Sequence, residues 1–319
     1  MRVLVAGGMG AIGRPLIPML VGAGHEVFAS TRAESRAAQI ETTGATPVVA
    51  DFLETGAAEA AIEASRPDAV IDLLTSLPQD FDPRRAKSAY EANDRVRREG
   101  TGALLAAAAA GGVNRYLCQS VAFLYRPGGD DPRSEDDPIW SDAPAPYDKS
   151  VAVLAENERK VTQNSAFTGV VLRYGFLYGP GTWFETGGST YNSVQKRQYP
   201  LIGDGGGINS MVHVADAASA TLAALERGEG IYNIVDDDPA AMSELVPAYA
   251  EMIGAGPPRK IPSWIARIAV GKYLIAAATT LPGASNQKAK RELGWTPAIP
   301  SWRTGLRDFR DRDPALTGQ

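Results

Sequence analysis

Apolar residues in this chain fall in short, nearly unbroken runs rather than in strict alternation. Residues 3–6, 26–29, 47–50, 69–73, 115–118 and 169–172 each read as a strand buried on both faces. Alanine-rich stretches with helical spacing, such as 15–23 and 102–110, lie between them. Parallel strands need long crossovers, and helical crossovers cover both faces of the sheet. The pattern therefore predicts an α/β protein with a Rossmann-like, doubly wound parallel sheet.

After residue 175 the texture changes. Glycine-rich, aromatic loops appear, including Tyr178-Gly179-Pro180-Gly181 and the run 203–207. Further strands are expected near 211–214 and 231–234, each followed by a helix. The division expected is a dinucleotide-binding domain over 1–175 and a small C-terminal substrate lobe over 176–319. Segments near 208–236 would return to the main sheet. The Pro-, Gly- and Asp-rich stretch 126–146 reads as a long surface loop.

The first strand runs directly into Gly7-Gly8-Met9-Gly10-Ala11-Ile12-Gly13 and then a helix. Glycines in this setting allow a tight turn, close approach of a pyrophosphate, and close packing of helix on strand. Free amides at the helix start add a positive dipole end. Cofactor contacts are expected at Gly7, Gly10, Ala11, Ile12 and Gly13. At the end of the second strand an NAD site would carry an acid for the ribose 2′-OH. Ser30 and Thr31 stand there instead, followed by Arg32 and, one turn on, Arg36. Guanidinium groups suit a 2′-phosphate, so NADP(H) is expected over NAD(H), with Thr31, Arg32 and Arg36 around the adenosine ribose.

Composition narrows the partners. Of 319 residues, 44% are hydrophobic and 22% charged, and the net charge is −5. That balance speaks against nucleic-acid and anionic-membrane partners and for a small-molecule substrate. One cysteine, Cys118, excludes an internal disulfide and fits a reducing, cytoplasmic setting. With only His25 and His213 beside it, no Cys/His zinc site is expected. Acidic groups at Asp130-Asp131, Glu135-Asp136-Asp137 and Asp236-Asp237-Asp238 stand in turn settings and read as turn caps, so no metal is expected. The apolar stretch 264–281 is interrupted by Arg267, Gly271 and Lys272 and reads as an amphipathic helix, not a membrane span.

Taken in order, these motifs resemble the extended short-chain dehydrogenase/reductases, the NAD(P)-dependent epimerase/dehydratase family. The resemblance rests on the glycine turn, Asp51-Phe52, Gly100-Thr101 with Leu104-Leu105, and Leu172-Arg173 through Gly181. It continues in Val212-His213-Val214-Ala215-Asp216, Tyr232-Asn233 and Glu292 to Pro297. It implies cofactor contacts at Asp51, Phe52, Leu74, Thr75, Asn93, Tyr174 and Phe176, structural roles for His213 and Asp216, and a possible homodimer.

The resemblance also implies a Ser or Thr after strand five and a Tyr-x-x-x-Lys pair on the next helix. Tyr147 occupies the tyrosine's place, but Val151 stands four residues on, and none of the eleven tyrosines has lysine in that position. Lys149 cannot substitute, because a two-residue step leaves the helix face that a four-residue step regains. The hydroxyl falls on Ser120 counted from the strand end, and on Val121 counted back from Tyr125. The family's asparagine falls in register on Arg97, with Asn93 one turn earlier. A neutral phenol can donate a proton but supplies little tyrosinate at neutral pH. The expected activity is an atypical NADPH-dependent ketoreductase acting on a small apolar or aromatic substrate, with Tyr147 as donor and Ser120 orienting the carbonyl. Phe123, Trp140, Trp183, Phe184 and Tyr191 are expected to line its pocket. The alternatives are a non-redox isomerase, cyclase or lyase on the same fold, and a catalytically inactive NADP(H)-binding regulator.

Overall fold

The computed structural model describes residues 1–78, 80, 85–129 and 131–311. Seven parallel strands form the central sheet in the order β11-β6-β5-β4-β1-β2-β3. They are β1 (Arg2–Ala6), β2 (Glu26–Thr31), β3 (Thr46–Val49), β4 (Ala69–Asp72), β5 (Arg115–Val121), β6 (Thr168–Tyr174) and β11 (Gly230–Ile234). The chain steps outward from β1 to β3, then returns to β4 on the other side of β1. Crossovers leaving β1 and β4 in opposite directions open a crevice at their C-terminal ends, where doubly wound folds bind ligands.

The apolar runs become strands because helices cover both faces. One core lies under α1 (Gly13–Gly22) and α8 (Val214–Glu226) and includes Val3, Val5, Leu16, Leu20, Ile71 and Leu117. The other lies under α3 (Ala57–Ser65) and α5 (Thr101–Ala110) and includes Leu4, Val70, Leu104, Tyr116 and Val171. Alternate residues of one strand serve opposite cores, so a polar residue has no place in the middle of these runs.

Helix α1 sits close on β1 because Gly13 lacks a side chain. A Cβ there would lie 2.3 Å from the Gly8 carbonyl oxygen, and Gly7 adopts φ +80°. On the far side of the sheet, α4 (Ala86–Arg95) continues through a π-turn, Val96–Gly100, into α5. Helix α6 (Tyr147–Thr162) then packs against α4 and the π-turn with the face made by Tyr147, Ser150, Val151, Leu154, Asn157 and Glu158.

A buried ion pair locks this helix to the sheet. Arg173 on β6 donates to both oxygens of Glu158, at 2.9 and 2.6 Å, with both side chains almost fully enclosed. Arg173 also donates to the Tyr125 hydroxyl at 2.7 Å, which donates in turn to Asn233 Oδ1 on β11 at 2.7 Å.

The stretch 126–146 departs from a plain surface loop. Trp140 and Ala143 are buried beside Tyr147, and the Asn233 amide donates to Glu135 Oε1 at 2.7 Å. Its polar composition covers a few deep anchors. Asp130, one of the acids read as a turn cap, lies outside the described residues. Past β6, β7 (Phe176–Tyr178) pairs with β10 (Met211–His213), and two short pairings join β8 (Leu201–Ile202) to β13 (Lys260–Ile261) and β9 (Ile208–Asn209) to β12 (Ala240–Ala241). The apolar stretch near 264–281 forms α10 (Ser263–Thr280), interrupted at Gly271, whose φ of 79° and ψ of 170° are not helical. No helix among the described residues is long and apolar enough to cross a membrane.

Arg173→Met leaves Glu158 buried without its partner and should destabilise the fold by about 3–5 kcal/mol, measurable as a lowered urea midpoint with unchanged m value. Gly13→Ala should force α1 off β1 and lower the unfolding temperature, whereas Gly22→Ala, with open space around it, should not.

Candidate active site

The glycine turn, the ends of β2 and β4, and the start of β7 meet at one edge of the sheet, the C-terminal one. Helix α1 opens there with no side-chain cap at Ile12; the Arg14 amide donates to the Gly10 carbonyl at 3.1 Å, and Pro15 has no N–H, so an external acceptor would meet the amides just before them. Gly10 donates back to the Gly7 carbonyl, and the Gly7 amide donates to Ser30 Oγ at 3.1 Å, tying the turn to β2. Gly181 has φ +80°, and a Cβ built there would lie 3.8 Å from Ala11 Cα, so the Tyr178–Gly181 loop passes close to the glycine turn. An uncapped helix start whose glycines leave no room for side chains fits a dinucleotide pyrophosphate. Gly7, Gly10, Ala11, Ile12 and Gly13 all lie in this cradle, and the Ile12 side chain is buried below it.

Arg32 and Arg36 project from the chain past β2 and are exposed, with no ion pair among the described residues. Thr31 is buried, and its Oγ1 accepts from the Ala33 amide at 3.2 Å. Leu74 and Thr75 follow β4 at the crevice, half-buried and exposed respectively. Several other expected contacts have their side chains engaged elsewhere. Asp51 Oδ1 accepts from the Leu53 amide at 3.0 Å, and Phe52 is packed in the core. Asn93 Oδ1 accepts from the Ser76 amide at 2.9 Å, so it shapes the loop after β4. The Tyr174 hydroxyl pairs with Thr221 Oγ1 at 2.7 Å inside the core. Phe176 stacks on Phe123 with ring centroids 4.3 Å apart.

Tyr147 begins α6 and is buried. Its ring stacks on Tyr273 of α10 at 4.1 Å and meets Tyr90 of α4 edge-on at 6.2 Å. Its hydroxyl donates to the Phe123 carbonyl at 3.4 Å. Burial, reinforced by Tyr90, holds the phenol well above the usual tyrosine range, with Arg97 opposing. Tyr90 is pushed up to about 12 by burial, and Tyr273 is also raised. One turn on from Tyr147, on the same face, sits buried Val151.

Ser120 is also buried, but its Oγ donates to Glu158 Oε1 at 2.6 Å, on the α6 side of β5. A serine hydroxyl carries one proton, and here the proton is committed to the Arg173–Glu158 pair. That engagement counts against the carbonyl-orienting role expected for Ser120. The expected pocket aromatics divide between two places. Phe123 and Trp140 pack around Tyr147, while Phe184 and Tyr191 pack in the lobe with Tyr249, whose hydroxyl donates to the Phe184 carbonyl at 2.7 Å. Trp183 spans the crevice, its Nε1 donating to the Pro78 carbonyl at 3.0 Å.

His213 caps α8, its Nδ1 accepting from the Ala215 amide, and Asp216 accepts from the Ala298 and Ile299 amides. Sequence reasoning placed Arg97 in the asparagine's register and gave it no role. It is buried, its Nε has no hydrogen-bond partner, and it lies within electrostatic reach of Tyr147, Asp94, Cys118 and Asp72. An arginine in the helix pattern of 85–100 resembles any solvated one until α6 is packed over it.

Comparison with known proteins agrees with this geometry. The chain is 42% identical over 310 residues to the 3-diazoavenalumate denitrifying reductase of a Streptomyces species, covering 96% of this chain and 99% of that protein. It is 26% identical to the 4-hydroxy-2-methyl-3-oxo-4-farnesyl-3,4-dihydroquinoline-1-oxide ketoreductase of Stigmatella aurantiaca, covering 100% and 98%. Among solved structures, the human epimerase family protein SDR39U1 with NADPH superposes with a TM-score of 0.76 at 20% identity, covering 98% of this chain and 100% of that one. Residues 3–235 match the NAD dependent epimerase/dehydratase family. With its glycine cradle, its sheet order and this match, the chain belongs to that family.

Proposed function

We propose that this chain is an NADPH-dependent reductase that delivers hydride to a carbonyl of a small apolar or aromatic substrate, with Tyr147 as the proton donor. The observation that carries the reading is the state of Tyr147. Its phenol is buried, held in the protonated form, and followed one turn later by Val151. An acid kept protonated suits a step in which the substrate gains hydride and proton, and does not suit abstraction of a substrate proton.

The nicotinamide supplies the hydride when bound; the chain's own residues do the rest. The amides of Ala11, Ile12 and Gly13 would hold the pyrophosphate of a bound dinucleotide, and Arg32 with Arg36 would meet a 2′-phosphate. Phe123, Phe176 and Trp140 give the region around Tyr147 an apolar, aromatic wall that excludes water. As the carbonyl carbon accepts hydride, its oxygen becomes an alkoxide and takes the Tyr147 proton. Solvent later restores it.

A second acceptor class is supported by the engagement of Ser120 with Glu158 and by the name of the Streptomyces relative. An aromatic diazonium accepts hydride at the ring carbon and expels dinitrogen. No oxyanion forms, so that step needs no protein acid.

NADPH oxidation measured with aromatic ketones and with aromatic diazo compounds tests both readings. With a ketone, Tyr147→Phe should lower kcat about 10²-fold or more; with a diazo acceptor, dinitrogen release should survive that substitution. Loss of neither activity removes Tyr147 as donor. Arg32→Glu should reverse the cofactor preference, weakening NADPH at least about tenfold relative to NADH in binding titrations.

A further inference from the structure

Tyr147 is the first residue of α6. A helical side chain lies back over the turn before its own Cα, and no helical turn precedes this one, so α6 by itself does not fix the ring. Its hydroxyl bond to the Phe123 carbonyl, at 3.4 Å, is long for an O–H donor and holds it weakly. Packing has to supply the rest. Tyr273 of α10 lies against the ring with centroids 4.1 Å apart and planes 23° from parallel. Tyr273 also meets Tyr90 of α4 edge-on at 6.0 Å and Trp140 of the long loop at 6.3 Å. One phenol ring of the lobe therefore touches each segment that surrounds Tyr147.

The backbone of α10 aims Tyr273. Two residues before it, Gly271 breaks the helix with φ 79° and ψ 170°. L residues rarely adopt that φ, while a Cβ at Gly271 would meet open space, so glycine serves the bend there and not close packing. The part of α10 beyond the break carries Tyr273 into the aromatic cluster, with Leu274, Ala276 and Ala277 packed around it. Tyr273 is itself buried. The titratable groups facing Tyr147 are Tyr90 and Asp94 of α4, Arg97 of the π-turn and Tyr273; those facing Tyr273 are Tyr147 and Tyr90. Among these, Tyr273 is the one stacked on the Tyr147 ring.

We propose that Tyr273 is a positioning residue of the proton donor: delivered by the bend at Gly271, its ring fixes the direction of the Tyr147 phenol and keeps water off that face. The inference rests on the reading of Tyr147 as donor. It makes the lobe part of the site, because a residue of α10 completes what α4, α6 and the long loop leave uncovered. The role belongs to the ring of Tyr273 and not to its hydroxyl, since the contact is face to face. No bond is made or broken at Tyr273.

The test places 2,3,5-trifluorotyrosine at position 147 of the full chain, because that phenol ionises low enough to titrate by absorbance in the folded protein. Burial disfavours the phenolate, so Tyr273→Ala, which lets water in, should lower the titration midpoint by about one pH unit or more. Tyr273→Phe, which keeps the ring, should not lower it. In the native-tyrosine protein, Tyr273→Ala should lower kcat for a ketone about tenfold or more with little change in the KM for NADPH, and Tyr273→Phe should retain most of the activity. Gly271→Ala, which deletes no ring but opposes the bend, should act in the same direction as Tyr273→Ala and takes its place if that variant does not fold. Equal midpoints with and without the ring overturn the proposal, as does a kcat that falls equally in Tyr273→Phe or a change confined to the unfolding temperature. Absence of turnover with every acceptor overturns the reading of Tyr147 as donor, while the titration still reads whether Tyr273 covers that phenol.

Discussion

Burying a guanidinium and a carboxylate together is tolerable only when nearly every donor and acceptor on both is used, and the pairing of Arg173 with Glu158 meets that condition by recruiting its neighbours. Arg173 reaches Tyr125, Tyr125 reaches Asn233, and Glu158 accepts a hydrogen bond from Ser120. Strands β5, β6 and β11 and helix α6 are thereby held in one register. A serine at the end of β5 is thereby drawn into the framework.

That constraint explains the character of the site. With Ser120 engaged and Val151 in the helical position after Tyr147, the Tyr147 phenol stands among Tyr90 and Tyr273 with no lysine one turn on. Burial raises the phenol's ionisation and so favours its protonated form, and it pulls the arginine's down, although a guanidinium still keeps its proton. Oxidation-first chemistry would require the opposite bias. The cofactor cradle at the other side of the crevice is conventional by comparison, set by glycines and an uncapped helix.

The lobe contributes mainly by covering. Tyr273 of α10 stacks on Tyr147, Trp140 from the long loop closes one side, and Trp183 ties the loop after β7 to the loop after β4. The first two bury the Tyr147 ring, and burial is the main cause of the phenol's raised ionisation. The surface concavity of about 770 Å³ lined by Arg2, Ala60, Glu63, Ala64 and Arg66 lies at the other, N-terminal end of the sheet, away from this chemistry.

The strands of the main sheet and the glycine turn were legible in the sequence, because each depends on local spacing, and the structural roles of His213 and Asp216 came from the resemblance. A fully buried strand must be continuously apolar, and a helix packed tightly on a strand must lack a Cβ at Gly13. That Tyr147 and Val151 share one helix face was equally legible, since a four-residue step is a property of one helix. What only the tertiary structure decided was the partner of each polar side chain. Ser120, Asn93 and Tyr174 were expected at the site, and which groups they bond, Glu158, Ser76 and Thr221, 38, 17 and 47 residues away, was not readable from the chain. Arg97 reads as an ordinary charge on a helix until α6 folds over it. Hydrogen bonds and burial between distant segments leave no periodic trace in the chain, so spacing alone cannot assign them.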